Sequence, residues 1–392
     1  MPDDVLSTWK TTLAKGLEAL EKQHQRRSLA EIHGTDFCSN DYLGLAKHPA
    51  LREAVLHAVE NAARMGGTAS RLLSGQTEGW LKLEEEFAAF AGTEAALFFG
   101  SGYAANIGLL SALVGRDDVV YSDTLNHASL IDGMRLSGAR KVIYPHLDLN
   151  ALEKSLRQDA GAPWRRIIVT ESVFSMNGDA APLKEMASLA DRFGAAMIID
   201  EAHATGVQGK TGCGSAAQEG ILGQVLATIH TCGKALGSAG AFVCGPAVMK
   251  DHLINHARTF IFSTALPPYF AEQIGAAVRL IGGMDVERQT LLQRANGLNR
   301  ELRRAGFDTG GSASQIVPVI LGSNEDTLHA ATHLQREGFA VRAIRPPTVP
   351  AGRARLRLSL TIRIAEEELK RLVKSLVEWR EGKSAAVAAR YA

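Results

Sequence analysis

One lysine, Lys234, lies among small residues directly after an apolar run. The run QVLATIH is typical of a buried strand, and the stretch GKALGSAG that follows lets other groups approach closely. A lysine at such a place either extends its ammonium group to solvent or keeps its amine in a pocket for chemistry. Taken alone, this stretch favours the solvent-exposed lysine.

Other reactive side chains follow neighbouring strands. Asp200 ends the apolar run AAMII and His203 comes three residues later, while Glu171 and Ser175 flank the end of RRIIVT. Each of these side chains is compatible with an ordinary turn or cap. Ligands of open α/β sheets, however, bind at the carboxyl ends of the strands. A lysine there forms a Schiff base with an aldehyde, and an aspartate opposite it keeps a pyridine nitrogen protonated.

Two further motifs suit a phosphorylated aldehyde cofactor. The motif GSGYAAN at 100–106 places glycines before a helix, where free backbone N–H groups bind phosphate. It matches neither a P-loop nor a dinucleotide-binding fingerprint. His127, in DTLNHASL, either stacks its imidazole on a cofactor ring or is a loop histidine bonded to backbone.

Metal and thiol chemistry have weaker support. His252 and His256, and likewise His329 and His333, have the i, i+4 spacing of helical metal ligands. Neither pair has the glutamate of a zinc protease helix or a third ligand nearby, so we predict helix faces and no metal. The four cysteines form no CxxC pair, and we predict reduced cytosolic thiols without a nucleophilic role.

The composition is that of a globular protein. The 392 residues are 46% hydrophobic and 22% charged, with a formal net charge of +1, which argues against a nucleic-acid or membrane-surface role. Residues 95–115 carry no charge, but GSGYAAN interrupts them, so we predict a strand, a turn and a helix there and no membrane span. The first thirty residues lack the apolar core of a signal peptide, so we expect a cytoplasmic protein.

Strands and helices alternate over most of the chain. The run WLKLEEEFAAFAG predicts a helix that ends at Gly92, and APLKEMASLADRFG predicts one from Pro182 to Gly194. Repeated strand–helix–strand units predict an α/β fold with a mostly parallel sheet covered by helices on both faces.

The pattern changes after about residue 285. A long polar helix and the strand SQIVPVIL come first. The run ARLRLSL then alternates strictly and predicts a half-exposed strand, and AEEELKRLVKSLVEW predicts a final amphipathic helix. We predict an N-terminal helix and connector over 1–36, a large domain over 37–284 and a smaller C-terminal α/β domain over 285–392.

These motifs resemble those of a known enzyme family, the α-oxoamine synthases. They are CSNDYLGLAKHP, GTASRLLSG, GSGYAAN, NHASL, ESVFSMNGD, DEAHATGVQG, TCGKALGSAGAFV and FSTALPP, and the resemblance extends from about residue 37 to 365. The α-oxoamine synthases are fold-type I enzymes that use pyridoxal 5'-phosphate to join an amino acid to an acyl-CoA with loss of carbon dioxide. The resemblance implies the same cofactor and a transferase activity here, with the cofactor bound by the large domain.

One motif narrows the resemblance. The stretch AIRPPTVPAGRARLRLSL is most similar to the biotin-pathway branch of the family, which condenses L-alanine with pimeloyl-CoA or another pimeloyl thioester. Two alternatives remain open. One is the branch that takes glycine and acetyl-CoA, the 2-amino-3-oxobutyrate CoA ligases, and the other is a protein that binds pyridoxal phosphate without turnover.

The resemblance also implies roles for individual residues. The predicted catalytic residues are Lys234, which would bond covalently to the cofactor, His127, which would stack on its ring, Asp200, which would pair with its pyridine nitrogen, and His203. The predicted cofactor-binding residues are these four together with Ser175 near the ring hydroxyl and Gly102, Tyr103 and Thr231 at the phosphate, with Ser263 or Thr264 supplied by the partner subunit of a homodimer. The predicted substrate-binding residues are Asn40, His127, Arg345, Thr348 and either Arg26 or Arg27.

Overall fold

The structure, a computed structural model, describes residues 4–29, 31 and 33–391, so the two ends of the predicted domain ranges, 1–3 and 392, lie outside it. The strands are β1 Thr35–Asp36, β2 Ala95–Phe99, β3 Asp118–Asp123, β4 Arg140–Tyr144, β5 Arg165–Glu171, β6 Ala195–Asp200, β7 Ala227–Thr231, β8 Ala241–Gly245, β9 Ile316–Gly322, β10 Phe339–Ala340, β11 Ala343–Ile344 and β12 Ala354–Ser359. The helices are α1 Val5–Lys22, α2 Pro49–Glu60, α3 Glu78–Ala91, α4 Gly102–Leu113, α5 Ala128–Ser137, α6 Leu149–Gln158, α7 Leu183–Phe193, α8 Ser215–Gln218, α9 Ala247–His256, α10 Arg258–Ile261, α11 Tyr269–Ile281, α12 Asp285–Arg304, α13 Asn324–Arg336 and α14 Glu366–Tyr391.

Seven strands form the central sheet in the order β2-β8-β7-β6-β5-β3-β4. Strand β8 is antiparallel to both of its neighbours, and the other strand pairs are parallel. Strands β3, β7 and β8 are buried along their whole length, as expected of a sheet covered on both faces. The predicted α/β fold with a mostly parallel sheet is therefore confirmed.

The helices around this sheet follow their local sequence signals. Helix α3 ends at Gly92 and α7 ends at Gly194, both of which have positive φ, 71° and 61°. The uncharged segment 95–115 forms β2 and α4, as predicted, with Ser101 capping the helix by accepting a hydrogen bond from the backbone N–H of Ala104. In the described part of the chain, no helix has the length and apolarity needed to cross a membrane.

A three-stranded antiparallel sheet, β11-β12-β9, forms the C-terminal part. On α14, Leu372 and Leu376 of the predicted stripe are fully buried in the hydrophobic cluster that also contains residues of β9 and β12. Near the N-terminus, β1 pairs in parallel with β10, so residues 35–36 contact the C-terminal part of the chain. The division of the chain at 36/37 and 284/285 stays a prediction.

The prediction for ARLRLSL is wrong. Strand β12 is buried at every position, including its two arginines, Arg355 and Arg357. The guanidinium of Arg357 donates to the carbonyl of Ser175 at 2.5 Å, and that of Arg355 donates to the carbonyl of Met176 at 3.2 Å. The polar face of β12, which was expected to face solvent, therefore packs against the loop that follows β5.

We predict that Leu372→Ala lowers the free energy of unfolding by about 2–5 kcal/mol, because the side chain is fully buried and its loss leaves a cavity. Urea unfolding followed by circular dichroism measures the change. Leu81→Ala is the matched control, since Leu81 is 48% exposed and its loss should cost less than about 0.5 kcal/mol. Equal losses in the two variants would contradict this description of the core.

Candidate active site

Lys234 follows β7, and its amine faces the interior. Its Nζ lies 2.8 Å from Nε2 of His203. Burial lowers the pKa of the Lys234 amine to about 8, while the carboxyl groups of Asp200 and Glu171 act in the opposite direction. At neutral pH the amine is thus much closer to its neutral, nucleophilic form than an exposed lysine.

Asp200 is the last residue of β6, the strand next to β7. Its Oδ1 accepts a hydrogen bond from the backbone N–H of Ala202 at 2.9 Å, and its Oδ2 accepts one from Nδ2 of Asn106 at 2.7 Å. The same amide group of Asn106 donates to the Ser129 hydroxyl at 2.8 Å. Asn106 therefore fixes the Asp200 carboxyl from α4.

Glu171, at the end of β5, lies beside Asp200 in the register of the sheet. Burial raises the pKa of the Glu171 carboxyl to about 8, and the negative charge of Asp200 adds to the rise. One of its oxygens accepts a hydrogen bond from the backbone N–H of Ser175 at 3.2 Å. Glu171 therefore carries less negative charge at neutral pH than an exposed glutamate.

His203 is buried between the amine and the protein core. Its Nδ1 lies 2.6 Å from the hydroxyl of Tyr42, and its backbone carbonyl accepts a hydrogen bond from the Gln315 side chain at 2.8 Å. Burial holds the pKa of His203 well below its usual range, and the positive charges of Lys234 and Arg357 add to the effect. The imidazole is therefore neutral.

A cavity of about 200 Å³ opens in front of these groups. It brings together seven of the predicted site residues, which are Gly102, Tyr103, His127, Asp200, His203, Thr231 and Lys234. His127 caps α5 and its Nδ1 lies 2.7 Å from the Ser129 hydroxyl. Burial lowers the pKa of His127, so this ring is also neutral.

The N-terminus of α4 borders the same cavity. A Cβ added to Gly102 would lie 3.6 Å from Oγ1 of Thr231, so the glycine keeps the space between the helix and Thr231 open. Backbone N–H groups at the start of a helix favour an anion. The cavity thus has an anion-binding end at α4 and an amine, two carboxyl groups and two imidazoles elsewhere.

Comparisons with known proteins agree with this geometry. A profile of the aminotransferase class I and II family matches residues 32–376. An 8-amino-7-oxononanoate synthase of Geobacter sulfurreducens is 46% identical over 380 residues, which cover 93% of this chain and 97% of the relative.

Two solved structures are similar to this chain over most of its length. A crystal structure of 8-amino-7-oxononanoate synthase from Francisella tularensis has a TM-score of 0.78 and 27% identity, covering 90% of this chain and 99% of that one. A serine palmitoyltransferase variant from S. paucimobilis, with PLP and myriocin bound, has a TM-score of 0.88 and 27% identity, covering 98% and 100%.

The chain belongs to the 8-amino-7-oxononanoate synthase family. It is therefore an enzyme of the transferase class, its fold is that of the fold-type I enzymes, and its cofactor is pyridoxal phosphate. The residues of the small cavity fit that cofactor. An amine for the aldehyde, a carboxylate for the pyridine nitrogen and a helix N-terminus for the phosphate all border one space.

The other residues expected at this synthase's site do not line the small cavity. Ser175 and Thr348 line a larger adjoining cavity of about 730 Å³, which shares His127 with the small one. Asn40 accepts hydrogen bonds from Arg357 and Ser359 at 3.1 Å each. Thr264, with Ser263, borders a separate recess beside Phe260 in its own chain.

The predicted substrate arginines differ in their surroundings. Arg345 donates to the backbone carbonyls of His24 and Arg26. Arg27 donates to Oγ1 of Thr348 at 3.2 Å, so it reaches the rim of the larger cavity. The Arg26 guanidinium instead pairs with the exposed Glu21 at 3.3 Å. The sequence did not decide between Arg26 and Arg27. In the structure, Arg27 is the one that contacts a residue of the larger cavity.

Sequence reasoning missed Arg357, Asn106 and Tyr42. Arg357 is the arginine whose charge lowers the pKa of both Lys234 and His203. The run ARLRLSL contained a sign of this role, because an arginine within an apolar strand needs a polar partner if the strand is buried. Asn106 is the last residue of GSGYAAN, one helical turn after Gly102, and Tyr42 lies in NDYLG, but neither spacing indicates a contact with Asp200 or His203.

The two histidine pairs are hydrogen-bonded to other groups of the protein. His252 and His256 bond to the backbone carbonyls of Ala112 and His252. His329 accepts a hydrogen bond from the indole N–H of Trp379 at 2.8 Å, and His333 lies 3.1 Å from the Ser375 hydroxyl. Across residues 4–29, 31 and 33–391, no group of three or more His, Cys, Asp or Glu side chains is arranged to hold a metal.

We predict that Asp200→Asn moves the pKa of the Lys234 amine below 8, because the Asp200 charge favours the ammonium form. The pH dependence of trinitrophenylation at Lys234, followed by peptide mapping in cofactor-free protein, measures the pKa. Asp118→Asn is the control, since Asp118 is also buried but lies at the amino end of β3 and pairs with Arg165. An unchanged or higher pKa in Asp200→Asn would contradict the assigned electrostatics.

Proposed function

We propose that this enzyme condenses L-alanine with pimeloyl-CoA, or another pimeloyl thioester, to give 8-amino-7-oxononanoate, the free thiol and carbon dioxide in biotin biosynthesis. The observation that carries the proposal is the Lys234 amine, with its pKa lowered to about 8, inside a cavity that Asp200 and His203 also line. A relative named for this synthase is 46% identical over nearly the whole chain.

Four groups would hold the cofactor. Lys234 would bond to its aldehyde carbon, Asp200 would pair with the pyridine nitrogen, and His127 would lie against the ring. The phosphate would bind at the start of α4, near Gly102 and Thr231. When bound, pyridoxal phosphate supplies an electron sink that stabilises negative charge at the α-carbon of the amino acid.

The protein's own groups then have distinct tasks. The Lys234 amine accepts the α-proton of alanine at Nζ, since its lowered pKa gives it a larger fraction with a free lone pair than an exposed lysine has. The Asp200 carboxyl would face the pyridine nitrogen, with its orientation set by the hydrogen bonds from Asn106 and the Ala202 N–H. His203 remains a neutral hydrogen-bonding group, because burial and nearby cations oppose its protonation.

The amino-acid carboxylate needs a cation close to Lys234. Arg357 has this position, since its charge acts on Lys234 and its guanidinium bonds to Asn40 and to the Ser175 carbonyl. The family resemblance implies substrate binding by Arg345 and Asn40, with Arg345 at the amino-acid carboxylate, and that assignment stays a prediction. We favour Arg357 because the guanidinium of Arg345 bonds to backbone carbonyls of the N-terminal segment.

The acyl chain would occupy the larger cavity. This cavity is lined partly by apolar side chains, Leu125, Ile131 and Phe174 among them, and it adjoins the small cavity at His127. The distal carboxyl group of a pimeloyl chain is costly to bury without a partner. Arg27, bonded to Thr348 at the rim, is the cation we propose for it.

We further propose a cytoplasmic homodimer with shared active sites. Thr264 lies outside the small cavity of its own chain, which is compatible with a role at the phosphate of the partner subunit. The four cysteines are free, as expected of a reducing compartment.

We predict that alanine with pimeloyl-CoA is preferred over glycine with acetyl-CoA in kcat/KM, and that Arg27→Ala narrows the preference. The variant loses a charged hydrogen bond of about 1.5–3 kcal/mol, so its kcat/KM for pimeloyl-CoA should fall by about 10- to 100-fold. Steady-state assays with a panel of acyl-CoAs and both amino acids measure the preference. The preference for alanine over glycine itself should be graded, since one methyl group contributes about 1–3 kcal/mol.

Arg26→Ala is the matched control for that panel, because Arg26 pairs with Glu21 away from the cavity. It should leave the pimeloyl preference unchanged. If glycine with acetyl-CoA were the best pair, the 2-amino-3-oxobutyrate CoA ligase reaction would replace this proposal. If no pair gave turnover although the cofactor bound, the non-catalytic alternative would stand.

We predict that mixing Lys234→Ala and Thr264→Ala chains restores activity. A hybrid dimer with shared sites has one intact site, so a random mixture should reach about a quarter of the wild-type rate. Turnover after co-refolding of the two chains measures it, with each variant alone as the control. A mixture no more active than the mean of its parents would contradict shared sites.

A further inference from the structure

A chain of hydrogen bonds leads from Lys234 into the protein. Nζ of Lys234 lies 2.8 Å from Nε2 of His203, and Nδ1 of His203 lies 2.6 Å from the Tyr42 hydroxyl. Tyr42 is fully buried, and His203 is 5% exposed. A neutral imidazole has one N–H and one lone pair, so the position of the Tyr42 proton decides which nitrogen of His203 is protonated.

The Tyr42 hydroxyl has two acceptors within reach. One is Nδ1 of His203, and the other is Oδ1 of Asn40 at 3.2 Å. Oδ1 of Asn40 already lies 3.1 Å from the guanidinium of Arg357 and 3.1 Å from the Ser359 hydroxyl. Because a guanidinium only donates, this atom is the amide oxygen, and these two donors fill its lone pairs. The Tyr42 proton is therefore directed to His203, the nearer acceptor.

We propose that Tyr42 is a positioning residue that fixes His203 as the tautomer protonated at Nε2. In this tautomer the Nε2–H points toward Lys234 and donates to Nζ. An ammonium group has no lone pair to accept this hydrogen bond, so the tautomer favours the neutral amine of Lys234. Tyr42 thereby favours the form of Lys234 that can accept a proton. This consequence for catalysis rests on the proposed reaction.

The surrounding charges support a neutral imidazole. The charged and titratable groups that act on His203 are Lys234, Arg357 and His127, and those that act on Lys234 are Asp200, Glu171 and Arg357. The three groups around His203 all oppose its protonation, so an imidazolium that donates from both nitrogens is disfavoured. The choice is thus between two neutral tautomers.

Nuclear magnetic resonance of the ring nitrogens tests the proposal. The full-length chain carries ¹⁵N-labelled histidine, and His203→Gln identifies the His203 signals by their absence. Above pH 8, where the Lys234 amine is mostly neutral, we expect a protonated Nε2 and an unprotonated Nδ1, both without added cofactor and after pyridoxal phosphate is added. Tyr42→Phe should give a mixture that contains the Nδ1-protonated tautomer. Tyr144→Phe, which removes another buried tyrosine hydroxyl, should leave the His203 signals unchanged.

The Lys234 pKa is a second readout. In Tyr42→Phe, trinitrophenylation of Lys234 in cofactor-free protein should show a pKa higher by about one unit, the size of one lost neutral hydrogen bond. An Nδ1-protonated His203 in the wild type overturns the proposal, whether or not the variant folds. An unchanged tautomer in folded Tyr42→Phe overturns it too. Both readouts are free of substrate, so their failure is distinguishable from failure of the proposed reaction.

Discussion

The site depends on one electrostatic balance, between a partly buried amine and the carboxyl groups near it. Burial lowers the pKa of Lys234, and the charges of Asp200 and Glu171 oppose that effect, so that the value stays near 8. Burial also raises the pKa of Glu171 to about 8, which limits the negative charge that the pocket holds at neutral pH. A fully charged second carboxylate would stabilise the ammonium and remove the nucleophile.

The parallel sheet makes this balance possible. Strands β5 and β6 lie in register, so Glu171 and Asp200 end side by side, and β7 next to them leads into the loop that carries Lys234. Carboxyl ends of parallel strands meet at one edge, where backbone groups are free to bind ligands. Helix α4 then adds both an N-terminus and Asn106, which hydrogen-bonds Asp200. One sheet edge therefore supplies most of the groups a pyridine ring and a phosphate require.

The sequence predicted this edge of the sheet because three apolar runs correspond to β5, β6 and β7. Reactive side chains lie at or just after the carboxyl end of each run. It could not predict contacts between distant segments. Alternation in ARLRLSL indicates one polar face but not whether water or a loop covers it, and the loop at Ser175 covers it here. Likewise, Arg345 contacts the carbonyl of His24, a pairing that no periodicity encodes. The expectation for strand β12 failed for this reason.

Arg357 connects the two parts of the molecule electrostatically. It belongs to the C-terminal sheet, yet its charge lowers the pKa of Lys234 and of His203 at the edge of the central sheet. Its guanidinium is held by the Ser175 carbonyl and by Asn40, which lie on two different segments. The basicity of the Lys234 amine thus depends on β12 remaining packed against the loop after β5. If β12 separated from this loop, the positive charge of Arg357 would move away from Lys234. The pKa of Lys234 would then rise, and the ammonium form would lose its proton less readily.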